Sequence, residues 1–224
     1  MNKMIKAIFF DLDGTLLDTL EDLADSVNHV LTNHSMKNRT LDEIRSFIGN
    51  GIPTLIARSV PAGTDAELLK ECVDEMQSYY KEHSDIKTCP YKDIDFVLEA
   101  LNIMQMPCVV VTNKAEESAK ILCENKFAGR ISLVIGDNGK DRLKPAPDNV
   151  FRALDTLKLK KNEILYVGDS DVDIETAKNA GVTSIGVSWG FRDAELLRSK
   201  GADYIIDTPK GLLLLLEHKF SIFY

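Results

Sequence analysis

No two cysteines in the sequence are spaced as C-x-x-C, and no histidine cluster accompanies the four present, Cys72, Cys89, Cys108 and Cys123. That argues against a zinc site. Cys108 opens an apolar run and Cys72 falls on an apolar helical stripe, so both read as reduced core residues of a cytoplasmic protein. Long hydrophobic runs are missing too. The stretch 5–10 runs straight into charged residues, so no signal peptide is expected, and the leucine run 212–216 reads as part of a terminal amphipathic helix. A bilayer span needs about 20 apolar residues. Positive charge is in deficit: Lys plus Arg number 27 against 35 for Asp plus Glu, a net charge of −8. Such a surface repels nucleic acid and anionic lipid. An acidic protein that handles an anionic substrate must screen it locally, with a cation or a confined basic group. Internal repeats and low-complexity segments are absent.

What is present is ordinary for a globular chain: 224 residues, 44% hydrophobic and 28% charged. Residues 7–10 form a short apolar run ending at Asp11, the pattern of a strand buried on both faces. Similar runs occur at 108–111, 133–135, 164–167, 184–187 and 204–206. Helical patterns fall between them at 94–101, 115–125, 149–157 and 174–180. The alternation predicts a doubly wound parallel sheet with helices on both faces. Residues 20–84 break it, because they carry helical patterns only. Leu23, Val27, Val30 and Leu31 mark a first helix; Thr40 with Glu43 makes a capping box for a second; Pro53 suits the first turn of a third. Thr64 with Glu67 predicts another capping box, before a helix burying Leu69, Cys72, Met76 and Tyr79. The predicted organisation is a core of 1–16 and 86–224 with an all-helical cap inserted at 17–85.

In a parallel sheet, ligands bind beyond the carboxyl ends of the strands. After the first run stand Asp11, Asp13, Gly14 and Thr15; after the second, Thr112 and Asn113; after that at 164–167, Gly168, Asp169, Ser170, Asp171 and Asp173. Lys144 precedes Pro145 in the loop before that run. Carboxylates gathered together repel unless a cation neutralises them, and hard oxygen ligands suit Mg²⁺. A carboxylate facing a metal-bound phosphate can attack phosphorus in line. A second carboxyl two residues on can protonate the leaving oxygen and later deprotonate water. Thr112 and Asn113 can hydrogen-bond phosphate oxygens, and Lys144 supplies positive charge for the transition state. Singly, Asp18, Asp22 and Asp171 read as turn formers or helix caps. The joint pattern of Asp-x-Asp-Gly-Thr, Thr-Asn, Lys-Pro and Gly-Asp-x-x-x-Asp, in that order, points to one site.

The segment 10–19, with Asp11-Leu12-Asp13-Gly14-Thr15 at its centre, resembles the signature of the haloacid dehalogenase superfamily. Residues 110–114, 144–148 and 167–173 resemble its second, third and fourth motifs, so the resemblance covers nearly the whole chain. It implies a Rossmann-like core, Asp11 as nucleophile and Asp13 as general acid/base. It also implies Mg²⁺ held by Asp11, the Asp13 backbone carbonyl and Asp169, with Asp173 orienting Lys144 or a metal-bound water. Thr112, Asn113 and Lys144 would bind phosphate, and Ser170 or Asp171 would cap the following helix.

The helical insert is similar to the small cap of one subclass, and residues 47–51, 55–58 and 187–193 look like its phosphoglycolate phosphatase branch. Pro90-Tyr91 departs from the Pro-Gly pair common there. The implied activity is hydrolysis of a small phosphorylated metabolite in the cytoplasm. Dehalogenases lack an acid where Asp13 stands, and phosphomutases tend to carry Val where Thr15 stands. Phosphonate hydrolysis needs a cap lysine, and none follows Thr19 before Lys37. An inorganic pyrophosphatase shares a similar cap and is the nearer alternative; a phospho-accepting receiver module lacks the insert. In the cap, Gly49, Asn50 and Gly51 precede Pro53 at a helix start, where unpaired backbone N–H groups suit an anion such as a small carboxylate. Arg58 is a further candidate for that task.

Overall fold

The computed structural model describes residues 4–220. Its chain divides into two compact units: residues up to Leu17 together with those from Pro90 onward, and Asp18–Cys89. The first is built on six parallel strands: β1 (Ala7–Phe10), β4 (Cys108–Ala115), β5 (Leu133–Asp137), β6 (Ile164–Gly168), β7 (Thr183–Val187) and β8 (Tyr204–Ile206). Two residues each form β2 (Leu17–Asp18) and β3 (Cys89–Pro90), which pair as a ribbon. Both faces of the large sheet are covered, which is why its strands read as unbroken apolar runs. Ile8, Phe10, Cys108, Val110, Leu165 and Val167 pack on one face, under α5 (Ile94–Ile103), α6 (Glu116–Phe127) and α10 (Lys210–Phe220). Ala7, Phe9, Val109, Val111, Ile164 and Tyr166 pack on the other, under α7 (Asp148–Leu157) and α8 (Asp171–Ala180). A short helix, α9 (Ala194–Ser199), lies between β7 and β8 in the chain and has no counterpart in the sequence expectations. Its six residues hold a single buried apolar side chain, Leu197, too few for a helical period to register.

The strand order β5-β4-β1-β6-β7-β8 reverses at β1. The chain winds outward from β1 through β4 to β5, then returns to β6 on the other side of β1. Loops leaving β1 and its two neighbours therefore diverge from one point and open a crevice beyond their carboxyl ends. Asp11 enters that crevice at once, its N–H bonded to the carbonyl of Val167 at 2.9 Å.

The second unit is helical: α1 (Leu20–Asn33), α2 (Leu41–Phe47), α3 (Gly51–Ser59) and α4 (Ala66–His83). The Thr40–Glu43 capping box is present at α2. That expected at Thr64 is not: the cap of α4 is Asp65, which accepts from the N–H groups of Glu67 and Leu68 at 2.7 and 3.3 Å. Thr64 is held in the preceding turn, its hydroxyl donating to the Pro61 carbonyl. The buried stripe of α4 shifts as well, to Cys72, Met76 and Tyr80, with Leu69 and Tyr79 half-buried. Tyr79 instead stacks on His29 and His83, ring centroids 3.8 Å apart in each pair.

Asp22 is neither a turn former nor a cap. Buried on α1, its carboxylate accepts the backbone N–H groups of Ile86, Lys87 and Thr88 and the Thr88 hydroxyl, at 2.8–3.1 Å. These bonds fasten the end of this unit to its first helix. A charged acceptor satisfying several buried donors is expensive to lose, so Asp22→Ala is expected to destabilise the protein by about 3 kcal/mol. Urea unfolding checks the loss, and proteolytic nicking near residue 86 should accompany it. Among the described residues no helix is long and apolar enough to cross a membrane.

Candidate active site

Four strand ends supply the site. A tight turn follows Asp11: Leu16 and Leu17 both donate to the Leu12 carbonyl, and Gly14 N–H bonds the Leu17 carbonyl. From β6, Asp169 enters, and Ser170 caps α8. Ser170 Oγ accepts the Asp173 N–H at 3.3 Å and donates to Asp173 Oδ2 at 2.6 Å. From the loop before α7 comes Lys144, fully enclosed, with Nζ 2.8 Å from Asp11 Oδ1 and 2.6 Å from Asp173 Oδ1. Tyr166, inside β6, donates its hydroxyl to the Val111 carbonyl at 3.2 Å and lies 3.3 Å from the same Asp173 oxygen. Asp11, Asp169 and Asp173 bring carboxylate oxygens within 4.8 Å of one another.

β4 contributes differently from its expected reading. Thr112 and Asn113 do not follow the strand; they lie inside it, because it runs on to Ala115. Its pairing with β5 jumps from Val111↔Ile135 to Ala115↔Asp137, so Thr112, Asn113 and Lys114 stand opposite the single residue Gly136. Such a bulge breaks the strict alternation of side chains and re-aims them. Asn113 uses its amide on Lys144, accepting the lysine N–H at 2.7 Å and donating to its carbonyl at 3.1 Å. Lys114 Nζ reaches Asp13 Oδ1 at 2.9 Å, and the Thr112 hydroxyl oxygen accepts the Lys114 N–H. Only glycine fits at position 136, since a Cβ there would come within 2.6 Å of Glu116 Cα and 2.7 Å of the Lys114 carbonyl.

Residues 8–187 match the family model of haloacid dehalogenase-like hydrolases. The chain belongs to that family. Among curated proteins it is similar to the phosphoglycolate phosphatase of Aquifex aeolicus, 31% identical over 215 residues, covering 96% of this chain and 98% of the relative. The phosphoglycolate phosphatase of Neisseria gonorrhoeae is 34% identical over 198 residues, covering 86% and 84%. Among solved structures, a haloacid dehalogenase-like family hydrolase from Streptococcus pneumoniae superposes with a TM-score of 0.87 at 25% identity, over 96% of this chain and 100% of that one. This haloacid dehalogenase-like hydrolase is accordingly a phosphatase, acting on phosphoric monoesters.

In this hydrolase the loop after β7 completes the enclosure of Asp169. The Phe191 N–H donates to Asp169 Oδ2 at 2.8 Å, and the Thr15 hydroxyl donates to Oδ1 at 3.0 Å. Trp189 Nε1 bonds the Thr15 carbonyl, tying that loop to the turn after β1. Gly190 sits so close that a Cβ would lie 2.3 Å from both Asp169 Cβ and the Gly14 carbonyl. Sequence reasoning gave no role to Lys114, Tyr166 or Trp189. The available signals were a lysine directly after Thr112-Asn113, one hydroxyl within the apolar run of β6, and a glycine between two aromatics.

The electrostatics follow from the packing. Burial pushes the Asp11 carboxyl up to about 7; the Asp173 charge adds to this, and the Lys144 ammonium opposes it. Asp169 is driven well above its ordinary value, chiefly by burial, then by Asp173 and Asp11, against the Phe191 N–H and Thr15 hydroxyl. For Lys144 burial works against the charge, but Asp11 and Asp173 outweigh it and hold the ammonium well above its usual value. Lys144 balances one of three clustered carboxylates, so the other two charges call for protons or a divalent cation. Asp11 Oδ1 is buried, and the Lys144 ammonium 2.8 Å away meets it without regular hydrogen-bond geometry. A hard cation fits that oxygen and its neighbours. The Asp13 carboxylate lies outside that cluster. Gly49, Asn50, Gly51 and Arg58 belong to the helical unit. There Asn50 is the cap residue of α3 without a side-chain cap bond, both glycines have positive φ, and Arg58 donates to the Phe47 carbonyl at 2.8 Å.

Proposed function

We propose that the protein is a Mg²⁺-dependent phosphatase working through an aspartyl-phosphate on Asp11, with phosphoglycolate or a closely similar small phosphate monoester as substrate, in the cytoplasm. The observation that carries this reading is the buried Asp11 carboxylate, with the Lys144 ammonium 2.8 Å from Oδ1 and two further carboxylates adjoining it. Asp11, Asp169 and the Asp13 backbone carbonyl would hold Mg²⁺. When bound, the ion supplies charge neutralisation between nucleophile and phosphate.

The chain's own groups do the rest. An Asp11 oxygen attacks phosphorus as the bond to the leaving oxygen breaks, and Asp13 gives that oxygen a proton. Asp13 then takes a proton from water, which attacks the same phosphorus and frees Asp11 and phosphate. Lys144 lies on the phosphate oxygens throughout, held by Asp173 and by Asn113 through its backbone.

A panel of phosphate monoesters and inorganic pyrophosphate, compared by kcat/KM, tests the reading. Phosphoglycolate should lead the panel by about tenfold or more. Pyrophosphate in first place would make the enzyme a pyrophosphatase. Phosphosugar isomerisation without phosphate release would make it a mutase.

The metal has a separate signature. Asp11 binds its proton more tightly folded, at about 7, than at its ordinary value of 3.8. The metal-free protein therefore has this contribution in full below the ordinary value and loses it as pH rises through the folded one. Mg²⁺ competes with those protons and offsets the loss. Millimolar Mg²⁺ should raise Tm by about 5 °C near pH 8 and by less than about 1 °C near pH 5. Asp169→Asn should abolish the shift in a thermal melt. A shift equal at both pH values would detach the cation from these carboxylates.

A further inference from the structure

Lys114 lies at the end of the β4 bulge, its side chain only 5% exposed and its Nζ 2.9 Å from Asp13 Oδ1. Internal ion pairs contribute little net stability, so stability alone is a poor reason for one here. Its position is more informative. One bulged segment sends Asn113 to the backbone of Lys144 and Lys114 to the carboxylate of Asp13. The same three residues thus fix the cation beside Asp11 and the cation beside Asp13. Asp13 needs that support. It sits on a tight turn, its carboxylate is outside the Asp11–Asp169–Asp173 cluster, and its side chain is the most exposed of these at 16%. An acid that must meet a leaving oxygen works only in a narrow range of orientations.

We propose that Lys114 is a positioning residue for proton transfer: it holds Asp13 by Oδ1 and so presents Oδ2 to the leaving oxygen. The inference rests on the phosphatase reading above. In the step it serves, the bond from Asp11 oxygen to phosphorus forms and the bond to the leaving oxygen breaks. The electron pair goes to that oxygen, and the Asp13 Oδ2 proton follows it.

The leaving group separates this role from a merely structural one. An alkyl leaving oxygen needs the proton; a nitrophenolate does not. Lys114→Met should lower kcat/KM for phosphoglycolate by about a hundredfold and for 4-nitrophenyl phosphate by less than about fivefold. Lys114→Arg, which keeps a cation in reach of Oδ1, should recover most of the loss. Thermal melts establish that each variant is folded; if Lys114→Met is not, the ratio of the two substrates in Lys114→Arg and Lys114→Gln decides. Equal losses on both substrates would overturn the proposal, as would a change confined to KM. Wild-type protein and Asp11→Asn on the same substrates separate the two levels. No wild-type turnover would sink the phosphatase reading and this inference with it. Wild-type turnover with equal variant losses would sink this inference alone.

Discussion

Asp11→Asn is expected to lower kcat by about four orders of magnitude or more, because no neighbouring group can replace a positioned nucleophile. The substitution keeps the shape of the side chain and removes its charge. Wild-type enzyme mixed with ³²P-labelled substrate and quenched in acid should yield a hydroxylamine-labile phosphoprotein, and the variant should yield none. A labile phosphoprotein in the variant would move the nucleophile elsewhere. Stability should respond in the opposite sense. Ionised Asp11 is disfavoured by its burial and by Asp173. At pH 8 and without metal, Asp11→Asn should therefore melt no lower than wild type. Lost activity with retained or raised stability would mark Asp11 as a residue held for chemistry.

Lys144 combines the two effects in one residue. Its ammonium touches Asp11 and Asp173 in a space closed to solvent. Removing one partner of a buried ion pair leaves the others uncompensated and costs about 3–5 kcal/mol. Lys144→Ala is expected to show that loss in urea unfolding without metal, and part of it should be recovered with Mg²⁺. Activity should fall further than folding accounts for. Under conditions where the variant remains folded, kcat should drop by about a thousandfold, since the charge is needed most as negative charge gathers on the equatorial oxygens. A folded variant with unchanged kcat and raised KM would reduce Lys144 to ground-state binding. Lys144→Arg should not restore full activity, because a planar fork cannot replace a compact charge between two carboxylates.

Much of the site could be read before any coordinates because parallel strands buried on both faces appear as apolar runs. The first polar residues after such a run mark the edge where ligands bind. Asp11 after β1 and Asp169 after β6 were visible for that reason, and Lys144 through the Lys-Pro that precedes β6. The β4 residues were misplaced relative to their strand because a bulge adds residues without changing composition, and no periodicity records it. The cap of α4 slipped by one residue because Thr64 and Asp65 are both good cap residues. The turn closed by Pro61 decides between them.

What the sequence by itself determined was the alternation of elements, the interruption of that alternation at residues 20–84 and the chemical kinds of group gathered at one sheet edge. These depend on local pattern and on chain order, which a single chain carries in full. Tertiary structure alone decided which groups hold one another. Asn113 turned to the backbone of Lys144, Lys114 to Asp13, the Phe191 N–H to Asp169, and Asp22 to the amides of residues 86–88. Each of these contacts joins residues at least 20 positions apart. A hydrogen bond depends on ångström distances and angles set by packing, and a one-dimensional order of residues does not contain them.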